Sequence, residues 1–475
     1  MAPRYIPVDR DQQFLLPPDL REWLPSGHLA IYVIDIVAQL DTTRFHQDRV
    51  NDETGRPAHD PDMLLSLLLY GYAIGVMSSR EIERRCVTDV AFRVLSANTF
   101  PDHSTLCRFR KRNNEAIKEL FAQTVALCAR AGMMQVGVIA IDGTKMAANA
   151  SMGSNKQWRH LRQELDAIVD QADAIDEAED ERFGDRRGDE LSDELTDSAK
   201  RKAFLEKAIA ELEGRMDLDF QDRRIQERTE KLEQEKAKVA ERQTRHQAIR
   251  NQGKIPRERP ITRDRVTEAQ ERLDEAFALK EKTLRNSNTK ISLTDPDSRV
   301  MRKACGGFLQ GYNAQAAVTA SQVIVGAELH ASANDCHALH PLINAAKETI
   351  DLAGIEDPIE IVLADAGYCS EENLTKQDSP DLIIATTKAR KQDKESSTAR
   401  ATVPAIDAMD RKFRRDDVKM LYKKRSVMVE PVFGQIKDPR GIRRIVRRGK
   451  DAAAAEWKLI CSTHNLLKHF RTTWA

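Results

Sequence analysis

No Cys-x-x-Cys pair occurs in these 475 residues. The seven cysteines, at 86, 107, 128, 305, 336, 369 and 461, are scattered and odd in number. That argues against a structural zinc site and suits reduced thiols in a cytosolic protein. No apolar run approaches the roughly eighteen residues of a membrane span, and no charged-then-apolar stretch opens the chain. Neither a secreted nor a membrane-spanning protein is expected. Net charge is missing too: 75 Lys and Arg balance 75 Asp and Glu, so bulk charge says nothing about nucleic acid. There is no internal repeat and no recognisable nucleophile motif.

What is present begins with charge distribution. Charged residues make up 32% of the chain and hydrophobic ones 41%, the balance of a soluble protein with an unusually charged part. The length suffices for a large core and more than one domain. From Arg411 to Ala475 there are 18 Lys and Arg against 6 Asp and Glu, a local balance of +12. Acids dominate from Glu164 to Glu194, so a basic C-terminal lobe and an acidic middle cancel.

Three acids stand in matching settings. Asp142 ends the apolar run Val136–Asp142, and Asp365 ends a second, Ile359–Asp365. Glu430 lies in Val427-Met-Val-Glu-Pro-Val-Phe433, ahead of a strongly basic stretch. Two carboxylates at the ends of buried strands and a third on a helix can hold two divalent metals over a phosphodiester, where the ions clamp the attacking and leaving oxygens. Singly, each has a plainer explanation. Asp before Gly is a common turn residue, and Glu430, set among Val427, Val429, Val432 and Phe433, needs either a metal or a salt bridge to Arg425 if it is buried.

Along the chain, residues 1–130 read as a helical domain. Leu29–Leu40 is an apolar-rich segment, and Pro61–Tyr72, Ser79–Arg85 and Asp102–Arg112 are expected helices, with Pro61 in a tolerated first turn and Ser78 or Ser79 as a cap. Short helices followed by a basic one suit DNA binding. Residues 131–155 hold the first core strand. The segment 156–288 is polar and nearly free of aromatics. There Leu218, Ile225, Leu232 and Val239 recur every seven residues, and Val266, Ala269, Leu273, Ala276, Phe277 and Leu284 share a second face. A turn at 251–260 between these runs predicts a long antiparallel helical hairpin, with a third helix at 160–178. Strands return in 289–475: a hairpin over 308–329, a helix over 337–352, strands at 359–365 and 381–386, and a polar loop over 388–417. Helix is expected from Tyr422 to Phe470, broken at Asp438-Pro-Arg-Gly441. Arg440, Arg443, Arg444, Arg447, Arg448 and Lys450, as a helix face, form a phosphate track.

Together the words Asp142-Gly-Thr-Lys, Asp365-Ala-Gly-Tyr and Glu430-Pro-Val-Phe-Gly-Gln-Ile-Lys437 resemble those of the DDE transposases of bacterial insertion sequences. The resemblance covers most of the chain apart from the charged middle. It implies an α/β fold, an RNase H-like mixed-sheet core interrupted here by the helical hairpin and preceded by the all-helical domain. It also implies Asp142, Asp365 and Glu430 as catalytic and metal-binding residues. The family's accessory pattern falls on Tyr422, Arg425 and Lys437 as DNA contacts, joined by Arg443, Arg444, Arg447 and Arg448; the step from Arg425 to Glu430 is one residue longer than in the best-known relatives. The implied cofactor is Mg2+, two ions, with Mn2+ able to substitute. The implied partners are double-stranded DNA, as element ends and as target, and a second copy of the chain, in a bacterial cytoplasm at the nucleoid. A non-catalytic DNA-binding relative, a nuclease without strand transfer and a coiled-coil scaffold are the alternatives.

Overall fold

In the computed structural model, residues 19–47, 58–165, 198–216, 218–251, 264–303, 306–377, 379–386 and 404–474 are described. They form two compact units, residues 1–150 with 297–475 and residues 151–296.

The first unit opens with helices α1 (Leu29–Val37), α2 (Thr43–His46), α3 (Pro61–Ala73), α4 (Ser79–Thr88), α5 (Val90–Leu95), α6 (His103–Arg112) and α7 (Asn114–Arg130). Their starts follow from short polar side chains. Asp60 accepts from the backbone of Asp62 and Met63 ahead of Pro61, and Asp102 accepts from Thr105, each satisfying N–H groups a helix leaves open. Ser78 precedes α4 without a side-chain cap bond.

Strand β1 (Val138–Ala147) lies at the centre of a mixed sheet. The second unit interrupts the chain here, with strand β2 (Asn155–Gln157), helices α8 (Ser198–Gly214), α9 (Asp219–Asn251) and α10 (Asp264–Asn286), and strand β3 (Lys290–Ser292). The first unit then resumes with β4 (Arg299–Arg302), β5 (Phe308–Thr319), β6 (Ile324–His330), α11 (Leu339–Leu352), β7 (Ile361–Ala364), α12 (Glu371–Thr375), β8 (Asp381–Ile384), α13 (Pro404–Phe413), α14 (Asp416–Lys437) and α15 (Lys450–Thr473).

Along one edge β1 pairs antiparallel with β5, whose far side carries β4 and then β6. Along its other edge β1 pairs parallel with β7, and β7 with β8. Helices α11 and α15 pack on β6, α15 also meets α3 and α7, and α14 lies on β1, β5 and β7. The N-terminal helices were expected as a domain of their own. Instead Tyr32, Leu67, Phe121, Ile141, Tyr312, Leu363 and Trp457 belong to one continuous core. The reason is the apolar surface of α3, buried nearly all round, which has to be covered on more than one side.

Two further expectations change, for the loop 388–417 and for the basic stretch. Part of the expected loop 388–417 is helical, as α13 and the start of α14, while 387–403 lies outside the described residues. Helix α14 starts well before Glu430 and runs through Pro431. Proline cannot donate to the carbonyl four residues back, and that carbonyl, on Val427, accepts from Gln322 Nε2 at 3.0 Å. The basic stretch after Asp438 is no helix: residues 438–449 form an irregular link whose Arg444 bridges Ala147 of β1.

In the second unit α9 and α10 lie antiparallel, with Lys280 near the end of one paired to Asp222 near the start of the other. Leu218 and Leu232 of the seven-residue series are buried and Ile225 and Val239 half-buried; on the second face Leu273, Ala276 and Leu284 are buried, whereas Phe277 is exposed. Trp158, Leu161, Leu165, Leu205, Leu212 and Ile291 give this unit a small core. Residues 158–165 are helical; the remainder of the expected third helix, and the expected turn from 252 onward, lie outside the described residues.

Candidate active site

Parallel pairing sets the first half of β1 beside the whole of β7. The last β1–β7 pair is Ile141 with Ala364. Asp142 and Asp365 are the next residue on each chain. Beyond that point β1 keeps β5 on one edge but has lost β7 on the other. Asp365 thus follows the end of β7 as expected, whereas Asp142, expected to end its strand, lies in the middle of β1 because the pairing with β5 continues to Ala147.

Both carboxyl groups are held by their own turns. Asp142 Oδ1 accepts from Gly143 N at 2.8 Å, and Asp365 Oδ1 accepts from Gly367 N at 2.7 Å. Asp142 Oδ2 takes a hydrogen bond from Arg425 Nη1 at 3.1 Å, with the two side chains only 22% and 13% exposed. Burial nevertheless pushes the Asp142 carboxyl from an ordinary 3.8 up to about 6; Arg425 and the Gly143 amide oppose this, while Asp365 and Asp335 add to it. Burial works against the Arg425 guanidinium as well, but Asp142 and a hydrogen bond with Tyr422 hold its pKa above the usual value. Tyr422 stacks edge-on against Phe413.

Glu430 is exposed on α14, so the cost of a buried carboxylate does not arise, and Arg425 pairs with Asp142 instead. Lys437, seven residues on and therefore on the same helical face, donates to Thr144 Oγ1 and to the carbonyl of Lys145. Burial, then the nearby Arg443, lowers its pKa. Among the described residues no three acid, histidine or cysteine side chains stand close enough to hold a metal ion.

The arginines of the basic link separate by environment. Arg443, Arg444 and Arg448 are exposed; Arg443 pairs with Asp438 and Arg448 bonds the carbonyl of Asn149. Arg447 is half-buried; burial lowers its pKa and Glu456 opposes that. Arg440 is buried, donating to the carbonyls of Tyr72 and Ile460 and to Thr463. On α6, Arg110 is buried on Tyr72, Met77 and Ser79. Arg440 and Arg110 therefore join the helices to one another and cannot face a DNA surface.

The other face of β1 carries groups that sequence reading missed. Lys145, Asn313, Gln315, Asp335 and Tyr368 form one polar network: Asp335 accepts from Asn313 at 2.7 Å and Gln315 at 2.9 Å, Lys145 lies 3.6 Å away, and Tyr368 donates to Gln315. Two signals were available, the polar Gln310, Asn313 and Gln315 inside an otherwise apolar strand, and Asp335 in a polar link after β6.

Two family descriptions match the chain: a transposase domain (DUF772) over residues 18–112 and a transposase DDE domain over residues 282–466. No curated relative and no solved structure matches it. The DDE match contains Asp365 and Glu430, implies an RNase H-like fold for the mixed sheet, and belongs to enzymes that use divalent metal ions. Asp142 lies outside both matches. With a transposase domain ahead of a DDE domain on one chain, the protein belongs to the DDE transposases of bacterial insertion sequences.

Proposed function

We propose that this transposase binds the terminal inverted repeats of its element and carries out metal-dependent strand cleavage and strand transfer. Asp142, Asp365 and Glu430 hold Mg2+ in this reading, two ions, with Mn2+ able to replace it. One observation carries the proposal: Asp142 and Asp365 take matching positions on two paired strands, and partial burial pushes the Asp142 carboxyl up to about 6 because Arg425 offsets it only in part. A hard divalent cation with oxygen ligands suits that donor set and relieves the excess negative charge, since Mg2+ is ordinarily held by one or two carboxylates and keeps several waters.

A bound ion supplies an activated water and stabilisation for the departing 3′ oxygen. The chain supplies the positions. Arg425, locked between Tyr422 and Asp142, sets the Asp142 carboxyl from the α14 side. Lys437 ties α14 to β1 at Thr144, which keeps the helix face it shares with Glu430 beside the strand that carries Asp142. Exposed Arg443, Arg444 and Arg448 follow as contacts for the DNA backbone. The paired helices of the second unit act as a hairpin arm inserted into the core for assembly, and two copies of the chain bring the two element ends together.

The exposed Glu430 and the absence of three converging ligands among the described residues favour a second reading, a relative that binds DNA without cutting it. Incubation with duplexes bearing the element's own ends and Mg2+ decides. Cleaved and joined products support the transposase reading; binding without any cleavage, in Mg2+ or Mn2+, supports the second.

A further inference from the structure

Five cationic side chains line one cavity of the first unit. The cavity, about 750 Å3, opens between α6, the link after α14 and the start of α15, and its size is that of a small-ligand site. Lys111, Arg447, Arg448 and Lys450 stand around it against two acids, Asp297 and Asp451. Arg110 is at its wall too, but the donors of that guanidinium are spent on Tyr72, Met77 and Ser79. Asp297 Oδ2 accepts from the backbone N–H of Lys450 at 2.7 Å. The start of α15 is therefore already capped, and an anion entering the cavity depends on the side chains.

A second, independent observation concerns Arg447. Its backbone N–H and that of Val446 donate to buried Glu456 at 2.8 and 3.0 Å, and Tyr72 donates to the other oxygen of that carboxyl. The link is thus fixed where the Arg447 side chain leaves it. The half-buried guanidinium itself makes no hydrogen bond and no ion pair among the described residues. Burial disfavours its charge and Arg110 adds to that, while Glu456 compensates only in part. Five N–H donors in a fixed fork are left without an acceptor. Exposed Lys111 and Lys450 likewise have no side-chain hydrogen bond or ion pair among the described residues.

A phosphate suits such a fork, since its oxygens can accept from one guanidinium in pairs and its charge offsets the local excess. Arg443 and Arg444 are exposed on the same link, so a phosphate in the cavity can belong to a backbone that continues along the link. Resting on the DNA-binding reading above, we infer that this cavity seats one phosphate of the DNA backbone, with Arg447 bonding its oxygens and Lys111 of α6 adding charge. Lys111 falls within the first family match and Arg447 within the second. A phosphate gripped from both sides fixes how DNA lies on the protein without reading its sequence.

The test uses the full chain in EDTA and a duplex carrying the element's own end, so that binding is read without cleavage. Arg447→Ala should lower the log–log salt slope of binding by about 0.9, the loss of one phosphate contact on duplex DNA. Exposed Cys107 also lines the cavity, and bound duplex should slow its alkylation by a maleimide, read from the peptide mass. A parent-like slope in folded Arg447→Ala overturns the inference, and so does equal alkylation of Cys107 with and without duplex. Inorganic phosphate that protects Cys107 where the duplex does not would assign the cavity to a free phosphate compound instead. Should Arg447→Ala fail to fold, Lys111→Ala takes its place, and an unchanged slope in that variant overturns the inference equally. A parent that binds the duplex but never cuts it once Mg2+ is added loses only the catalytic reading; a parent that binds no DNA removes both.

Discussion

A carboxyl group with a pKa near 6 is a liability in the metal-free protein, and Asp142 is such a group. Its folded value lies above its ordinary 3.8. Between those two values the folded chain holds a proton that the unfolded chain releases, so stability falls as pH rises through that window. At about 1.36 kcal/mol per pH unit, the full effect is about 3 kcal/mol above pH 6, and about 2 kcal/mol of it develops between pH 4.5 and 7.5. Urea unfolding in EDTA at those two pH values should show this loss in the parent and not in Asp142→Asn. A divalent cation binds the ionised form, so Mg2+ should raise the melting temperature more at pH 7.5 than at pH 5.5; equal shifts at both would place the ion elsewhere. Asp142 and Asp365 stood out in the sequence because each ends an apolar run, but only Asp365 follows a strand end; pairing with β5 carries β1 on past Asp142. Asp335 was not. It reaches the turn after β7 through the β5–β6 hairpin and the strap from Cys336 to Gly367, contacts made by pairing across long stretches of chain.

Among the elements, α14 depends most on a partner far away in sequence. Pro431 leaves the Val427 carbonyl without a helical donor, and Gln322, at a left-handed φ of 64° in the β5–β6 turn, supplies one. The same residue's carbonyl pairs with His464 of α15. Gln322→Gly removes the side chain, which also accepts from Gln435 and Lys468, while relaxing the backbone, and should cost at least about 0.5–1.5 kcal/mol, the net worth of one hydrogen bond. In a Pro431→Ala background the cost should shrink, since an alanine at that position restores the N–H that serves Val427. Additive losses in this double-mutant cycle would mean Gln322 acts through other contacts. The break after α14 could be read from Asp438-Pro-Arg-Gly441; its consequence could not. Positive φ at Gly441 and Gly449 keeps the basic residues around them from forming one helical face. Gly75 is matched to this link, because a Cβ there would collide with the Arg440 carbonyl. Burial, which sequence does not show, then divides those side chains between structure and surface. Arg443→Ala, Arg444→Ala and Arg448→Ala should each flatten the log–log salt dependence of DNA binding by about 0.9 per lost phosphate contact. Arg440→Ala should instead unfold the protein more readily, by about 3 kcal/mol or more, as carbonyls and a hydroxyl lose a buried charged donor. A flattened slope in Arg440→Ala with normal stability would reverse that division.

At the scale of the whole molecule, the charged middle could be removed without touching the sheet. Ala147 and Arg299 both pair with Gly311, on opposite edges of β5, so the chain leaves and re-enters the first unit within about two strand spacings, roughly 10 Å. Replacing residues 151–296 by a linker of about six Gly and Ser residues, which spans about 13 Å on average, should leave a cooperatively folding core that binds DNA but joins ends poorly. Aggregation of that variant would show that the second unit completes the core. Formation of a sheet was legible from the apolar runs, whereas the sharing of one core between N-terminal helices and sheet was not, because α3 shows only that it is buried and not what covers it. The central claim is that Asp142 and Asp365 serve the cutting of DNA. The direct measurement is the rate of Mg2+-dependent cleavage of a duplex carrying the element's own end, for the parent and for Asp142→Asn, with DNA affinity measured alongside. Losing several kcal/mol of metal stabilisation, at 1.36 kcal/mol per tenfold, should slow Asp142→Asn by about three orders of magnitude or more while its DNA affinity is kept or slightly raised. Parent-level cleavage by Asp142→Asn, with the affinity unchanged, would contradict the account.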